Sequence, residues 1–251
     1  MEELKDIETI VEKLINTERV AVLTGAGVSA ESGIKTFRDP DGLWAKFNPA
    51  ELASAQGFLS NPELVWEWYN HRRSVLEEAN PNPGHYALAE LEKLSKDFTL
   101  TTQNVDGLHQ QAGSENVYEL HGSIIKNHCF ECGEPYLSEI YIRKKEIPRC
   151  EGCGGRIRPS VVWFGEMLPE DAIKKSELAA LNSEIYIVAG TSGEVYPAAG
   201  LPSIAANSGA LVVDINPNLT AIGKYADVQL AYPSAEILPI IVSEYKKAAG
   251  I

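Results

Sequence analysis

Apolar residues recur along the chain with two different rhythms. Ile7, Ile10, Val11, Leu14 and Ile15 stand at i, i+3, i+4, i+7 and i+8, which predicts an amphipathic helix over residues 3–16. The runs Val20–Leu23 and Ile185–Ala189 are continuously apolar and short, and Ala210–Ile215 is broken only by Asp214, as expected of strands buried on both faces of a parallel sheet. Phe98–Thr102 and the β-like run Val117–Leu120 add two more strands. Helical patterns lie between them. One begins with Asn61 as N-cap and Pro62 at the first helical position and ends near Asn80-Pro81. Another spans 83–96 with Ala87, Leu88, Leu91 and Leu94 on one face, and others cover about 169–181, 198–207 and 235–248. Strands that alternate with helices give an α/β class with a parallel sheet. The long stretch between the first strand and Phe98 holds no convincing strand and reads as an insertion, helical in its second half.

The strand ends are where this pattern meets chemistry. Gly25, Gly27 and Ala30 fit G-x-G-x-x-G/A, a turn that lets backbone N–H groups approach a pyrophosphate. Any tight, glycine-rich turn after a strand would look the same. A dinucleotide dehydrogenase would continue into a full helix, a second strand and an acidic ribose ligand about 20 residues on. Gly33 and Pro40 interrupt the helix early instead, so hydride transfer does not fit. In open α/β sheets ligands lie beyond the carboxyl ends of the strands. That places Gln103, Asn104 and Asp106, His121, Gly190-Thr191-Ser192 and Asn216-Pro217-Asn218 around the same crevice as Gly25. Asn104, Asp106 and Gly107 are also ordinary turn formers, and a histidine after a strand is often structural. Delivery into a crevice that already holds an Asn and an Asp makes His121 the candidate general base. Tyr69 and Arg72, at i and i+3, either point into one space or are a buried tyrosine beside a solvated arginine. Val161–Phe164 ends at Gly165, where backbone could be left open to pair with a peptide.

Composition narrows the classes. The 251 residues are 44% hydrophobic and 23% charged, with a net charge of −13. That charge opposes direct nucleic-acid binding and a polybasic membrane patch, and no run approaches the ~18 apolar residues of a membrane helix. The acidic Met1–Asp6 segment has no signal-like apolar region, so the expected location is cytoplasmic. In that reducing setting the four cysteines favour metal over disulfides. Their spacing, Cys129-x2-Cys132-x17-Cys150-x2-Cys153, is that of two knuckles closing a tetrahedron around one structural zinc. Two redox pairs, or a zinc ribbon for nucleic acid, are the alternatives; the charge opposes the second.

Taken in order, Gly25–Ile34, Thr36-Phe37-Arg38, Gln103-Asn104-Val105-Asp106, Leu120-His121-Gly122, the four cysteines, Val162–Glu166, Gly190-Thr191-Ser192 and Tyr196–Ala199 resemble the sirtuins, NAD-dependent protein-lysine deacylases. The resemblance spans essentially the whole chain. It implies a Rossmann-like large lobe (about 1–35, 83–122 and 158–251) and a small lobe of a helical part (36–82) plus the zinc module (123–157). NAD, a consumed co-substrate, and an acyl-lysine protein or peptide would meet in the cleft between the lobes. His121 would be the general base on the ribose hydroxyls, with Asn104 and Asp106 positioning ribose and nicotinamide. The cofactor contacts would extend over Gly25, Ala26, Gly27, Ala30, Glu31, Thr36, Phe37, Arg38, Gln103, Gly190, Thr191, Ser192, Asn216, Pro217, Asn218 and Ser234. Arg38 would meet the phosphates and Phe37 would screen the reactive carbon from water.

Val162, Phe164, Gly165, Glu166, Val195 and Tyr196 would hold the substrate. Tyr69-x-x-Arg72, with Ala53 as a small residue widening the acyl pocket, looks like the class that prefers succinyl-, malonyl- or glutaryl-lysine, Arg72 taking the distal carboxylate. Deacetylation would remain as a weaker activity; a mainly deacetylating enzyme or a mono-ADP-ribosyltransferase is the alternative. Lys35, Asp39 and Gly193-Glu194 depart from the usual family pattern, the first two beside the loop over NAD and the last near the peptide groove.

Overall fold

The computed structural model describes residues 2–36, 48–137 and 146–251. Phe37, Arg38, Asp39 and Pro40, singled out above, lie outside the described residues.

The predicted amphipathic helix is α1 (Glu2–Ile15), with Ile10 and Leu14 buried. It leads into β1 (Arg19–Thr24), followed by a short 3-10 helix over Ala26–Ser32. Three helices come next: α2 (Pro49–Leu52), α3 (Ala55–Ser60) and α4 (Pro62–Glu78). Asn61 caps α4 as expected, its side chain accepting from Leu64 N at 3.2 Å, with proline in the first turn. Helix α5 (Pro83–Leu94) precedes β2 (Asp97–Thr102), the one-turn α6 (Leu108–Gln111) and β3 (Val117–Glu119). Strands β4 (Gly122–Cys129), β5 (Pro135–Tyr136) and β6 (Ile157–Val161) follow. The chain closes with α7 (Glu170–Asn182), β7 (Ile185–Ala189), α8 (Leu201–Asn207), β8 (Leu211–Ile215), β9 (Val228–Leu230) and α9 (Ser234–Ala249).

Six strands form one parallel sheet in the order β3-β2-β1-β7-β8-β9. The strands were expected to be buried on both faces, and they are. Val22, Leu100, Ile187 and Val213 pack under α1, α5 and α9, while Leu23, Tyr186, Val188 and Val212 pack under α7 and α8. Because β1 pairs with β2 on one side and β7 on the other, the order reverses at β1, and the loops leaving β1 and β7 flank a crevice there.

Three differences from the sequence reading matter. The glycine turn does not start an α-helix: it winds as a 3-10 helix ended by Gly33 in the left-handed region. The eight-residue β4 escaped notice because its ladder with β6 shifts register between Ser123 and Asn127, which breaks the two-residue alternation. Strand β9 is only three residues long, too short to signal itself.

A second, antiparallel sheet, β5-β4-β6, lies beside the α2–α4 helices. Its junction with them is aromatic. Phe58 packs against Phe130 and Trp163 at centroid distances of 5.3 and 5.4 Å, and Trp68 meets Tyr69 edge-on at 4.7 Å.

Candidate functional site

Gly25, Gly27 and Gly190 interlock the loops that follow β1 and β7. Gly25 N donates to Ala189 O and Gly27 N to Gly190 O, at 3.1 and 2.8 Å. A Cβ on Gly27 would lie 2.8 Å from Gly190 Cα, and one on Gly190 would lie 2.3 Å from Val28 N, where φ is already +64°. The glycines are therefore required by backbone packed on backbone, whatever ligand sits above.

A polar network grows from this turn. Ser29 Oγ donates to Asp106 Oδ2 at 2.8 Å. Asn104 Nδ2 donates to Gly25 O at 3.0 Å and to Ser29 Oγ at 3.2 Å. The other Asp106 oxygen accepts from Leu108 N, so the start of α6 aims the carboxylate. Asn82 caps α5 by accepting from Gly84 N and donates back to Val28 O and Ser32 Oγ. His85 Nε2 reaches Ser29 Oγ at 3.4 Å, and its ring lies 4.8 Å from that of His109, whose Nε2 is 2.9 Å from Thr24 Oγ1. Burial holds His85 neutral, its pKa pushed down to about 4 although Asp106 pulls it upward; burial together with His85 pushes His109 down to about 3. Ser29, Asn82 and His85 were not among the expected site residues. Only the third dimension shows that Ser29 and His85 meet beside Asp106 and that Asn82 ties α5 to the turn.

His121 follows β3 by one residue. Its Nδ1 lies 2.9 Å from Gln103 O. A carbonyl can only accept, so Nδ1 carries the proton and Nε2 is left as the basic nitrogen. Burial lowers the His121 pKa, opposed by that hydrogen bond. Gln103 Nε2 donates to Thr191 Oγ1 at 2.9 Å, and Asn216 Nδ2 donates to Thr191 O at 3.3 Å. Five strand ends are thus stitched together, bringing His121, Gln103, Asn104, Asp106, Gly25, Ala26, Gly27, Thr191 and Asn216 to one crevice. Ser192 O accepts from Ala221 N, and Pro217 and Asn218 are exposed at the rim. Glu31 accepts from Ala235 N at 3.2 Å, joining the far end of the turn to the start of α9 beside buried Ser234. Ala30 is exposed and Thr36 half-buried.

The segment after β6 runs along the opposite wall. Val162 N donates to His121 O, Phe164 N to Ala53 O, and Trp163 N to Glu166 Oε2, at 2.9, 2.9 and 2.8 Å. These three donors are spent inside the chain, so backbone open to a peptide would have to lie at Gly165, where the segment ends. The Glu166 carboxylate also takes a forked contact from Arg158, whose guanidinium lies 3.3 Å from the Trp163 ring centroid. Phe164, Gly165, Val195 and Tyr196 are exposed. Tyr69 is buried, and its hydroxyl accepts from Trp163 Nε1 at 2.9 Å. The Arg72 guanidinium carbon lies 4.9 Å from the Trp68 ring and 5.7 Å from the Tyr69 ring, so Tyr69 and Arg72 do share one space. Burial lowers the Arg72 pKa, with Tyr69 and then Asp106 opposing it. Arg73, also buried, donates to three neutral acceptors: Ile124 O, Asn70 Oδ1 and Asn127 Oδ1.

The four cysteine sulfurs lie within 4.8 Å of one another, with Cys129–Cys153 at 3.5 Å and Cys132–Cys150 at 3.8 Å. A zinc tetrahedron with Zn–S near 2.3 Å needs sulfurs about 3.8 Å apart, so the four thiols fit one ion with no position left for water.

A family model described as the Sir2 family matches residues 25–197. A protein of Aquifex aeolicus named NAD-dependent protein deacylase is 52% identical over 83% of this chain and 87% of its own. A solved Sir2 homologue in complex with NAD superposes with a TM-score of 0.90 at 43% identity, covering 96% of this chain and 94% of that one. Another, Sir2Af2 bound to a myristoylated histone peptide, gives 0.79 at 36% identity over 100% and 99% of the two chains.

Proposed function

The chain belongs to the Sir2 family, and on that premise we propose that it is an NAD-dependent protein-lysine deacylase that prefers succinyl- and malonyl-lysine and removes acetyl groups more slowly. The relatives named as deacylases and the neighbour holding an acylated peptide support the reaction class. The acyl preference rests on one observation: the Arg72 guanidinium, 4.9 Å from the Trp68 ring and 5.7 Å from the Tyr69 ring, brings a cation and a phenol hydroxyl into one space.

The donor set at the strand ends suits a dinucleotide. Thr191, Ser192, Asn216 and Asn218 offer hydroxyls and amides for ribose and phosphate, and the interlocked glycine loops keep their backbone in place beneath. Bound NAD supplies a ribose C1′ whose bond to nicotinamide breaks as the acyl carbonyl oxygen attaches there. His121, its proton fixed on Nδ1 by Gln103, accepts a proton from a ribose hydroxyl at Nε2. Asn104 spends its Nδ2 on Gly25 and Ser29, so its Oδ1 is left to orient a donor on the ligand. Asp106 is held by Ser29 and Leu108, which fix its carboxyl group beside the place of the ribose. Phe37 would exclude water and Arg38 would pair with phosphate.

Two adjacent arginines in a chain of net charge −13 single out the small-lobe side of the cleft as the place for an anion. Arg72 offers the distal acyl carboxylate a charged partner, and Tyr69 adds a neutral donor. Ala53, buried with its carbonyl tied to Phe164 N, keeps that wall short. Val195, Tyr196, Phe164 and Gly165, all exposed, would meet the peptide.

Mass spectrometry of NAD reactions with matched acetyl-, succinyl- and malonyl-lysine peptides tests this. Nicotinamide and O-acyl-ADP-ribose should appear only with acyl peptide present; a mass gain on protein would instead indicate ADP-ribosyl transfer. A charge-assisted hydrogen bond contributes about 1.5–3 kcal/mol. Arg72→Met should therefore lower kcat/KM about 10- to 100-fold more for succinyl than for acetyl peptide. An unchanged succinyl/acetyl ratio sinks the acyl assignment.

A further inference from the structure

Trp163 is 1% exposed, and three lines of contact converge on it. Its neighbours along the chain tie to His121 O on one side and Ala53 O on the other. Its own N–H is fixed by Glu166, and its ring lies on the Arg158 guanidinium that the same Glu166 holds. Its indole N–H donates to the Tyr69 hydroxyl at 2.9 Å. An indole N–H can only donate, whereas a phenol can both donate and accept. The acceptor side of the Tyr69 oxygen is therefore taken, and the hydroxyl proton has to go elsewhere. Tyr69 is also 1% exposed, so water is not at hand, and no group among the described residues takes that proton. A buried hydroxyl proton without an acceptor costs free energy that a substrate oxygen brought within reach of it would recover.

The geometry points to Trp163 as a specificity-determining positioning residue. By filling the acceptor side of the Tyr69 hydroxyl, its indole N–H obliges that hydroxyl to donate to the distal oxygen of the acyl chain. The inference rests on the reading of Tyr69 and Arg72 as the distal acyl site. It adds that Tyr69 is set as a donor before any substrate arrives, by a residue outside the expected site. The Arg158–Glu166 pair keeps the indole in place from the other face. An acyl group ending in oxygen gains from this arrangement; one ending in a methyl group leaves the proton unmet.

The test compares kcat and KM for succinyl- and acetyl-lysine peptides in the wild type, Trp163→Phe, Tyr69→Phe, the double variant, and Arg72→Met. A neutral hydrogen bond of this kind is worth roughly 0.5–1.5 kcal/mol. Trp163→Phe should lower the succinyl/acetyl ratio of kcat/KM about three- to tenfold, chiefly through KM for the succinyl peptide. In the Tyr69→Phe background it should move the ratio no further. Site-specific replacement of Trp163 by 3-benzothienylalanine, which keeps the bicyclic ring and lacks the N–H, should reproduce the shift in ratio should the phenylalanine variant not fold. An equal fall for both peptides, an unchanged ratio, or the same shift in the Tyr69→Phe background overturns the proposal. Arg72→Met reads the underlying acyl assignment separately. If that variant shifts the ratio while the Trp163 variants do not, only the Trp163 role fails; if it does not, the acyl site itself is elsewhere.

Discussion

The Gln103 carbonyl lies 2.9 Å from His121 Nδ1, and because it accepts only, the hydrogen bond fixes which nitrogen of the ring is basic. Burial outweighs that bond and keeps the His121 pKa below its usual value. A base must be neutral to act, so the depressed value extends activity toward acid. The acid limb of kcat/KM against pH should have its midpoint below about 6.5, and a midpoint at or above that value would contradict the arrangement. His121→Ala should abolish turnover of both acyl classes; surviving turnover would remove it from the role of base. Gly190 tests the crevice floor. Alanine there would take a φ of +64° and set a Cβ 2.3 Å from Val28 N. A left-handed non-glycine residue costs about 1–3 kcal/mol before any clash is counted. Gly190→Ala should therefore lower the thermal midpoint and raise KM for NAD together, whereas a stable variant with normal KM would show that the two loops can part freely.

Helix α5 starts at a side chain that does two jobs. Asn82 accepts from Gly84 N at 2.9 Å, and its amide donates to Val28 O and Ser32 Oγ at 2.8 and 3.0 Å, so the helix start is fastened to the glycine turn. An ordinary cap is worth about 1 kcal/mol; with two more buried bonds lost, Asn82→Ala should cost about 2–4 kcal/mol in urea denaturation. Asn82→Asp keeps the acceptor and loses the two donations, so it should recover the cap and still raise KM for NAD. Equal stability for alanine and wild type would show that the turn is held by other means. In the antiparallel sheet the equivalent fastening is the thiol cluster. Stripping one zinc per chain with a chelator should abolish hydrogen-exchange protection around Cys129 and Ile157 while β1, β7 and β8 keep theirs. Protection unaffected by metal removal would mean that packing against Trp66 suffices.

Across the whole molecule, two histidines at the junction of β1, α5 and α6 add strongly to the loss of stability in acid. His85 and His109 stay neutral in the fold until about pH 4 and 3, whereas in the unfolded chain they protonate near 6.5. Below about 6.5 the unfolded state binds more protons, so stability falls as pH falls, by roughly 1.4 kcal/mol per pH unit for each histidine. Above that pH both states carry the rings neutral and the effect vanishes. Urea midpoints should be level from neutrality down to about 6.5 and then decline steeply toward pH 4, with the slope reduced in His109→Gln. A flat profile through that window would show that the rings are not buried neutral. No helix among the described residues is long and apolar enough to cross a membrane.

Much of this fold and part of the site can be read from the chain alone, and the boundary between the two has physical causes. Helix α1, helix α4 with its Asn61 cap, and the buried strands β1, β7 and β8 follow from local periodicity and capping, which neighbouring residues specify. The thiol cluster follows from spacing, because two tight turns are enough to aim four sulfurs. Strand ends that carry Gly25, Asn104, His121 and Thr191 announce a ligand crevice, because a parallel sheet collects its carboxyl ends on one edge. Sequence gives no sign of which side chains meet across that edge. Ser29 bridging Asn104 to Asp106, Asn82 tying α5 to the turn, and Trp163 setting the Tyr69 hydroxyl each join residues more than fifty positions apart. The N–H groups of Val162 and Phe164 find their partners, His121 and Ala53, on other elements, which the sequence does not show either. Local order determined the elements; hydrogen-bond partnership, which depends on distance in space, was decided only by the tertiary structure.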